Sequence, residues 1–107
     1  HVDAIVGCLD NREARLSINR FSWAVSRPWV DGAIQELMGI VRVFRPGEGA
    51  CYECTLTDLD YQIINLRYSC PLLARQNILQ GKVPTTPTSA SIVAAFQTQE
   101  ALKLLPR

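Results

Sequence analysis

Residues 2–11 read VDAIVGCLDN, an apolar run that ends in a polar Asp-Asn pair. Such a short apolar run, bounded by polar residues, is typical of a buried strand. Asp10, directly after this run, has two possible roles. It can cap a following helix, or it can hold a ligand, because ligands bind at the carboxyl ends of strands in open α/β sheets. The stretch therefore predicts a buried strand over 2–8 that passes at Asp10 into a helix.

The segments that follow alternate between strand and helix patterns. Apolar residues at helical spacing predict a helix over 12–25, and β-branched runs predict strands over 29–34 and 38–44. Further helices are predicted after Thr57, from Ser69 to Gly81, and over 90–105 with Thr88 or Ser89 as its cap. This order predicts an α/β fold, an incomplete Rossmann-like doubly wound sheet with a helical crossover insertion. Phe21, Trp23 and Trp29 are predicted to lie in its core.

Composition limits the possible partners and compartments. The chain has 107 residues, 48% of them hydrophobic and 20% charged, which is typical of one globular domain. A net charge of +1 provides no electrostatic attraction to nucleic acid or to an anionic membrane. No apolar run approaches the roughly 20 residues that span a bilayer. Four cysteines without secretory features suit a reducing compartment, so we expect a cytoplasmic protein.

Cys51 and Cys54 have the spacing of two zinc ligands. Structural zinc is held by four ligands, and the other candidates in the chain are Cys8, Cys70 and the single histidine, His1. The pair is therefore predicted to be half of a zinc site that is completed elsewhere. Two buried thiols and a redox-active pair are the alternatives.

Three stretches together resemble the ThiF/MoeB/HesA family of adenylyltransferases, the family of ubiquitin-activating-type enzymes. They are CLDNREAR at 8–15, PGEGACYECT at 46–55, and VPTTPT at 83–88 followed by AAFQTQEALKLL at 94–105. The match corresponds to the C-terminal half of that family's domain. Residues 1–107 are accordingly interpreted as a single partial domain. In it, 46–88 form a crossover and zinc-loop excursion, and 89–105 form the closing helix.

The resemblance implies a function. The parent protein would use ATP and Mg²⁺ to activate the C-terminal carboxylate of a ubiquitin-like or sulfur-carrier protein, and would hold Zn²⁺ at Cys51 and Cys54. Homo-oligomers are expected from the residues themselves, because the apolar strand over 2–8 lacks neighbours within the chain and the final helix adds apolar surface. Asp10 would be a Mg²⁺ ligand, and Asn11 and Arg15 would contact the nucleotide. From the residues alone, Asp10 could equally be a helix cap and Arg15 an ion-paired surface residue.

Cys70 has two interpretations. It stands at a predicted helix start, where a thiolate is favoured, and in the region where thioester-forming members of the family place a nucleophile. The neighbouring leucines favour packing, and the chain offers no histidine close to Cys70 in sequence as a base.

The chain contains no Gly-x-Gly-x-x-Gly or Walker-type loop. We therefore expect the phosphate loop upstream of His1 and expect the isolated chain to be inactive. A catalytically inactive assembly or dimerisation module is the main alternative function, and a thiol-redox protein is a further one.

Overall fold

The computed structural model describes residues 1–69 and 86–106. Three strands and three helices lie in these ranges, together with one turn of 3₁₀ helix at Tyr52–Thr55. The strands are β1 (Ile5–Gly7), β2 (Trp29–Gln35) and β3 (Met38–Phe44), and the helices are α1 (Arg12–Val25), α2 (Asp58–Ser69) and α3 (Pro87–Leu104). The predicted mixed α/β character is confirmed. The helix predicted from Ser69 to Gly81 lies outside the described residues, except for Ser69 itself.

The strands form one sheet in the order β1-β2-β3. β1 pairs with β2 in parallel, which places α1 in the crossover between them, and β2 pairs with β3 in antiparallel. Glu36, with φ of 56°, begins the tight turn between β2 and β3. β1 spans Ile5–Gly7 and is therefore shorter than the strand predicted over 2–8. This stretch is also less buried than predicted, since Val2 is 52% and Val6 47% exposed.

The sheet lies between two helical layers. Side chains alternate along a strand, so Trp29 points to one face and Val30 to the other, and both are fully buried. Trp29 packs on the α1 face with Leu16, Phe44 and Tyr52. Its ring centroid lies 5.1 Å from that of Phe44 and 6.1 Å from that of Tyr52. α3 covers the opposite face, so β2 is enclosed from both sides.

The buried face of α1 differs from the predicted apolar stripe. Leu16, Asn19 and Ser22 are buried, whereas Phe21 is 55% exposed. The reason is that the core encloses polar atoms, and these atoms need hydrogen-bond partners from α1. Trp29 Nε1 donates to Asn19 Oδ1 at 3.4 Å, and Ser22 Oγ donates to the carbonyl of Arg27. An apolar stripe on α1 would leave these buried groups without partners, at a cost of about 1–3 kcal/mol each.

Thr57 is confirmed as the cap of α2. The amide of Asp60 donates to Thr57 Oγ1 at 3.3 Å, and the amide of Thr57 donates to Asp60 Oδ2 at 2.9 Å, so the two residues form a reciprocal capping box. Hydrogen bonds from the Thr57 amide and then from its hydroxyl hold the pKa of Asp60 below its usual value. Asp60 also pairs with Arg12 at 2.9 Å, which ties α2 to the start of α1.

α3 begins earlier than predicted. Its cap is Thr86, whose Oγ1 accepts from the Ser89 amide at 3.1 Å, and Pro87 is the first helical residue. The sequence-based prediction of Thr88 or Ser89 as the cap is wrong because proline suits the first helical position, where no N–H is needed. No helix in the described ranges has both the length and the apolar character needed to cross a membrane.

Gln97 anchors α3 to the sheet. Its buried Nε2 donates to the carbonyl of Gly7 at 2.7 Å and lies 3.5 Å from that of Val30, so one side chain bridges β1 and β2. This close approach depends on Gly32, because a Cβ at that position would overlap the Gln97 carboxamide.

Replacing Gly32 with alanine is therefore expected to lower the free energy of unfolding by about 1–3 kcal/mol, as overpacking does in other cores. Urea denaturation of the full-length protein measures the effect. Gly32→Ala combined with Gln97→Ala should cost less than the sum of the two single changes, because the second substitution removes the overlap. Additive costs would show that the two residues do not compete for space.

Candidate functional site: the carboxyl end of β1 and the Cys51–Cys54 turn

The loop after β1 presents Asp10 at the carboxyl end of the strand. Asp10 is exposed, and its Oδ1 accepts from Asn11 Nδ2 at 2.8 Å. Asn11 is the N-cap of α1, because its own Oδ1 accepts from the Ala14 amide at 2.7 Å. The capping role that the sequence allowed for Asp10 thus belongs to Asn11. The Asp10 carboxylate lies at the carboxyl end of the sheet, where α/β proteins bind ligands.

Arg15 joins this loop to the neighbouring strand. Its Nε donates to Asp31 Oδ1 at 2.9 Å, and its terminal nitrogen donates to the carbonyls of Leu9 at 2.9 Å and Gly32 at 3.2 Å. The side chain is 12% exposed. Of the two roles that the residues left open, the structure shows the ion pair with a carboxylate, and the pair is buried. Direct contact with a nucleotide stays a prediction.

Asp31 is a fully buried carboxylate between two arginines. Its Oδ2 accepts from Arg42 at 2.6 Å while Oδ1 accepts from Arg15. The Arg42 guanidinium also lies 5.1 Å from the ring centroid of Tyr52 and 5.6 Å from that of Phe44, within the range of cation–π attraction. Burial raises the pKa of Tyr52 above its ordinary value, and the positive charges of Arg15 and Arg42 offset part of that rise.

The Cys51–Cys54 turn lies farther along α1. Asn19 holds it in place, since Asn19 Oδ1 accepts from the Tyr52 amide at 3.0 Å as well as from Trp29. Burial raises the pKa of Cys51, but hydrogen bonds from the Asn19 side chain and from Cys54 outweigh burial, and the net pKa is below the ordinary thiol value. The Asn19 and Asn11 positions are eight residues apart, or about 12 Å of helix. The turn and Asp10 therefore form two separate sites.

The two thiols fit one edge of a zinc site. Their Sγ atoms are 3.5 Å apart, and two thiolates bound tetrahedrally to zinc at about 2.3 Å would lie about 3.8 Å apart. Within residues 1–69 and 86–106, no group of three or more Cys, His, Asp or Glu side chains is arranged to hold a metal. The remaining ligands would have to come from elsewhere. Cys70, the candidate nucleophile, lies outside the described residues.

Sequence reasoning missed three residues that lie beside the candidate site, namely Asp31, Arg42 and Asn19. A usable signal existed for the first two, because each is a single charge in an otherwise apolar strand segment. A charge in such a position is buried only when it is paired. Asn19 carried no comparable signal, since an asparagine within a helix is ordinarily exposed.

The chain matches a protein-family model and several curated proteins. The model of the ThiF family matches residues 1–107. Ubiquitin-like modifier-activating enzyme 5 of Dictyostelium discoideum is 32% identical over 106 residues, covering 97% of this chain and 26% of that protein. The protein of the same name from Drosophila willistoni is 34% identical over 97% of this chain and 24% of its own length. The chain thus spans about a quarter of the length of the curated relatives it matches.

One solved structure shows the same fold. The crystal structure of E. coli MccB with succinimide superposes with a TM-score of 0.65 at 17% identity, over 95% of this chain and 28% of that one. At this identity the likeness concerns the fold alone.

Proposed function

The chain belongs to the ThiF family, and on that premise we propose that it is part of an ATP-dependent adenylyltransferase. The substrate would be the C-terminal carboxylate of a ubiquitin-like or sulfur-carrier protein. In the proposed reaction this carboxylate attacks the α-phosphate of ATP and pyrophosphate leaves. A doubly wound domain is part of the proposal, with further parallel strands beside β1 and the glycine-rich phosphate loop in another part of the full-length protein.

The observation that carries the proposal is the exposure of Asp10 and its position at a strand end. It is an exposed carboxylate at the carboxyl end of a parallel strand, and the adjacent cap is made by Asn11 instead. The Asn11 amide also orients the Asp10 carboxylate through a 2.8 Å hydrogen bond. Carboxylate oxygens are the ligands that Mg²⁺ prefers, so Asp10 fits the role of a metal ligand. When bound there, Mg²⁺ would supply positive charge against that of the phosphates.

ATP–pyrophosphate exchange by the full-length protein tests the function. Exchange should depend on a carrier protein with a free C-terminal carboxylate, and it should disappear when that terminus is amidated, because the amide cannot attack the phosphate. A folded full-length protein that shows no exchange with any ubiquitin-like or sulfur-carrier protein would instead favour the inactive assembly module.

Three further expectations stay predictions. They are a cytoplasmic location, a homo-oligomeric state, and a role for Cys70 in packing rather than in a thioester. The homo-oligomer is supported by exposed apolar side chains of α3, since Ile92 is 53%, Phe96 61% and Leu102 57% exposed. Apolar surface of this kind is often covered in an assembly.

Zinc is a separate part of the proposal. Full-length protein purified under reducing conditions is expected to contain zinc, and Cys51→Ser and Cys54→Ser should each remove most of it, because each deletes one of the two thiolate ligands that the turn supplies. Elemental analysis of the purified protein measures the content. Cys8→Ser is the control, since Cys8 lies at the end of β1 away from the turn, and it should retain the metal. A zinc-free protein with a reversible Cys51–Cys54 disulfide would favour the redox alternative.

A further inference from the structure

Asp10 is held on both sides by α1. On its C-terminal side, Asn11 is fixed as the cap by its 2.7 Å hydrogen bond from Ala14. On its N-terminal side, the Leu9 carbonyl accepts from Arg15 at 2.9 Å. Asn11 and Arg15 lie one helical turn apart. The first turn of α1 therefore holds the residue before Asp10 and the residue after it through hydrogen bonds.

The hydrogen bond to the Leu9 carbonyl restrains the loop only if the Arg15 side chain is itself ordered. A free arginine side chain has many rotamers, and ordering it costs up to about 2 kcal/mol. Here Asp31 removes that freedom, because its fully buried carboxylate binds Arg15 Nε at 2.9 Å. Asp31 is itself held by its place in the paired strand β2.

The three acceptors of Arg15 come from two separate segments. Asp31 and Gly32 belong to β2, whereas Leu9 belongs to the loop after β1. The planar guanidinium can satisfy all three at once because its N–H groups diverge at fixed angles. The Arg15 side chain therefore fixes the loop that carries Asp10 relative to the buried strand β2.

We propose that Arg15 and Asp31 are positioning residues for Asp10, a buried clamp that fixes the loop so that the carboxylate meets the metal–nucleotide complex in one orientation. The inference rests on the proposed function for its purpose, but the clamp itself is a property of the fold. It gives Arg15 a role through the backbone of Leu9, in place of direct contact with the nucleotide. Outer residues that orient a metal ligand typically change metal affinity about 10- to 100-fold when they are replaced.

Two matched substitutions in the full-length protein separate positioning from general stability. Arg15→Lys and Arg42→Lys each keep a positive charge beside Asp31 and each remove one guanidinium, but only Arg15 reaches the loop. A lysine ammonium is a point charge on a flexible stem and cannot bind the three acceptors of Arg15 together.

Hydrogen–deuterium exchange of residues 8–11 and the Mg²⁺ dependence of pyrophosphate exchange are the two readouts. Arg15→Lys is expected to speed amide exchange in 8–11 and to raise the half-saturating Mg²⁺ concentration about tenfold or more. Arg42→Lys should leave both near the wild-type values.

Each other outcome decides a specific point. Wild-type behaviour of Arg15→Lys in either readout would overturn the positioning role, and so would equal shifts in Arg15→Lys and Arg42→Lys. If the wild-type protein shows no pyrophosphate exchange, the proposed function fails. The amide exchange of 8–11 then still decides whether the clamp exists.

Discussion

Replacing Asp10 with alanine in the full-length protein is expected to abolish ATP–pyrophosphate exchange, with a loss on the order of 10²-fold or more. The reason is the loss of the proposed Mg²⁺ ligand, because the metal ion would supply the positive charge that stabilises the phosphates in the transition state, and such stabilisation is worth several kcal/mol. The fold should persist, because the exposed Asp10 carboxylate accepts from Asn11 and does not cap α1. Surface changes of this type alter the free energy of unfolding by about 0.5 kcal/mol or less.

Two companion variants make this result specific. Asp58→Ala removes an exposed carboxylate from the first turn of α2 and should leave pyrophosphate exchange unchanged. Asn11→Ala removes the cap and should lower the free energy of unfolding by about 1 kcal/mol. If Asp10→Ala instead lowers stability by a similar amount while exchange survives, Asp10 is a structural residue and the metal role is wrong.

The second large effect concerns stability. Asp31→Ala is expected to lower the free energy of unfolding by about 3–5 kcal/mol, because Arg15, whose side chain is 12% exposed, and Arg42, which is 27% exposed, lose the fully buried carboxylate that they share. Chemical denaturation of the full-length protein, followed by circular dichroism, measures the change. A loss of this size is a large fraction of the 5–15 kcal/mol that typically stabilises a whole domain.

A surface ion pair of nearly the same length provides the control for Asp31. Glu100 accepts from Lys103 at 2.7 Å on the outer side of α3, and Glu100→Ala should cost at most about 1 kcal/mol because solvent screens the pair. Adding Arg42→Met to Asp31→Ala should recover part of the loss by removing one unpaired charge. A double variant that is less stable than Asp31→Ala alone would contradict this explanation.

Several features of the fold could be predicted because their causes are local. The strand over 38–44, the helix over 12–25 and the cap at Thr57 all follow from residues within a few positions of one another. The resemblance to the ThiF family is likewise carried by short stretches and is confirmed by the family match. The position of Asp10 at a strand end followed from the same local pattern.

Local patterns failed where the cause was distant in sequence. The possible cap of α1 was placed at Asp10, whereas Asn11 makes it. Adjacent polar residues suit the same role, and only the direction of the entering chain separates them. The buried face of α1 was predicted as apolar, yet Asn19 and Ser22 are buried there. Asn19 serves the Tyr52 amide, 33 residues away, and no window along the helix reveals that requirement.

The charges around Asp31 show most clearly which features the sequence could predict and which depended on the tertiary structure. The residue pattern already predicted an α/β fold and a carboxylate at a strand end, and the resemblance of three short stretches indicated the ThiF family. The partners of Asp31 came only from the tertiary structure, because Arg15 lies 16 residues before it and Arg42 lies 11 residues after it. Arg42 stands opposite Asp31 only in the observed strand register. A slip of one residue would turn Arg42 to the other face of the sheet and leave both charges unpaired, so the register and the burial select the contact together.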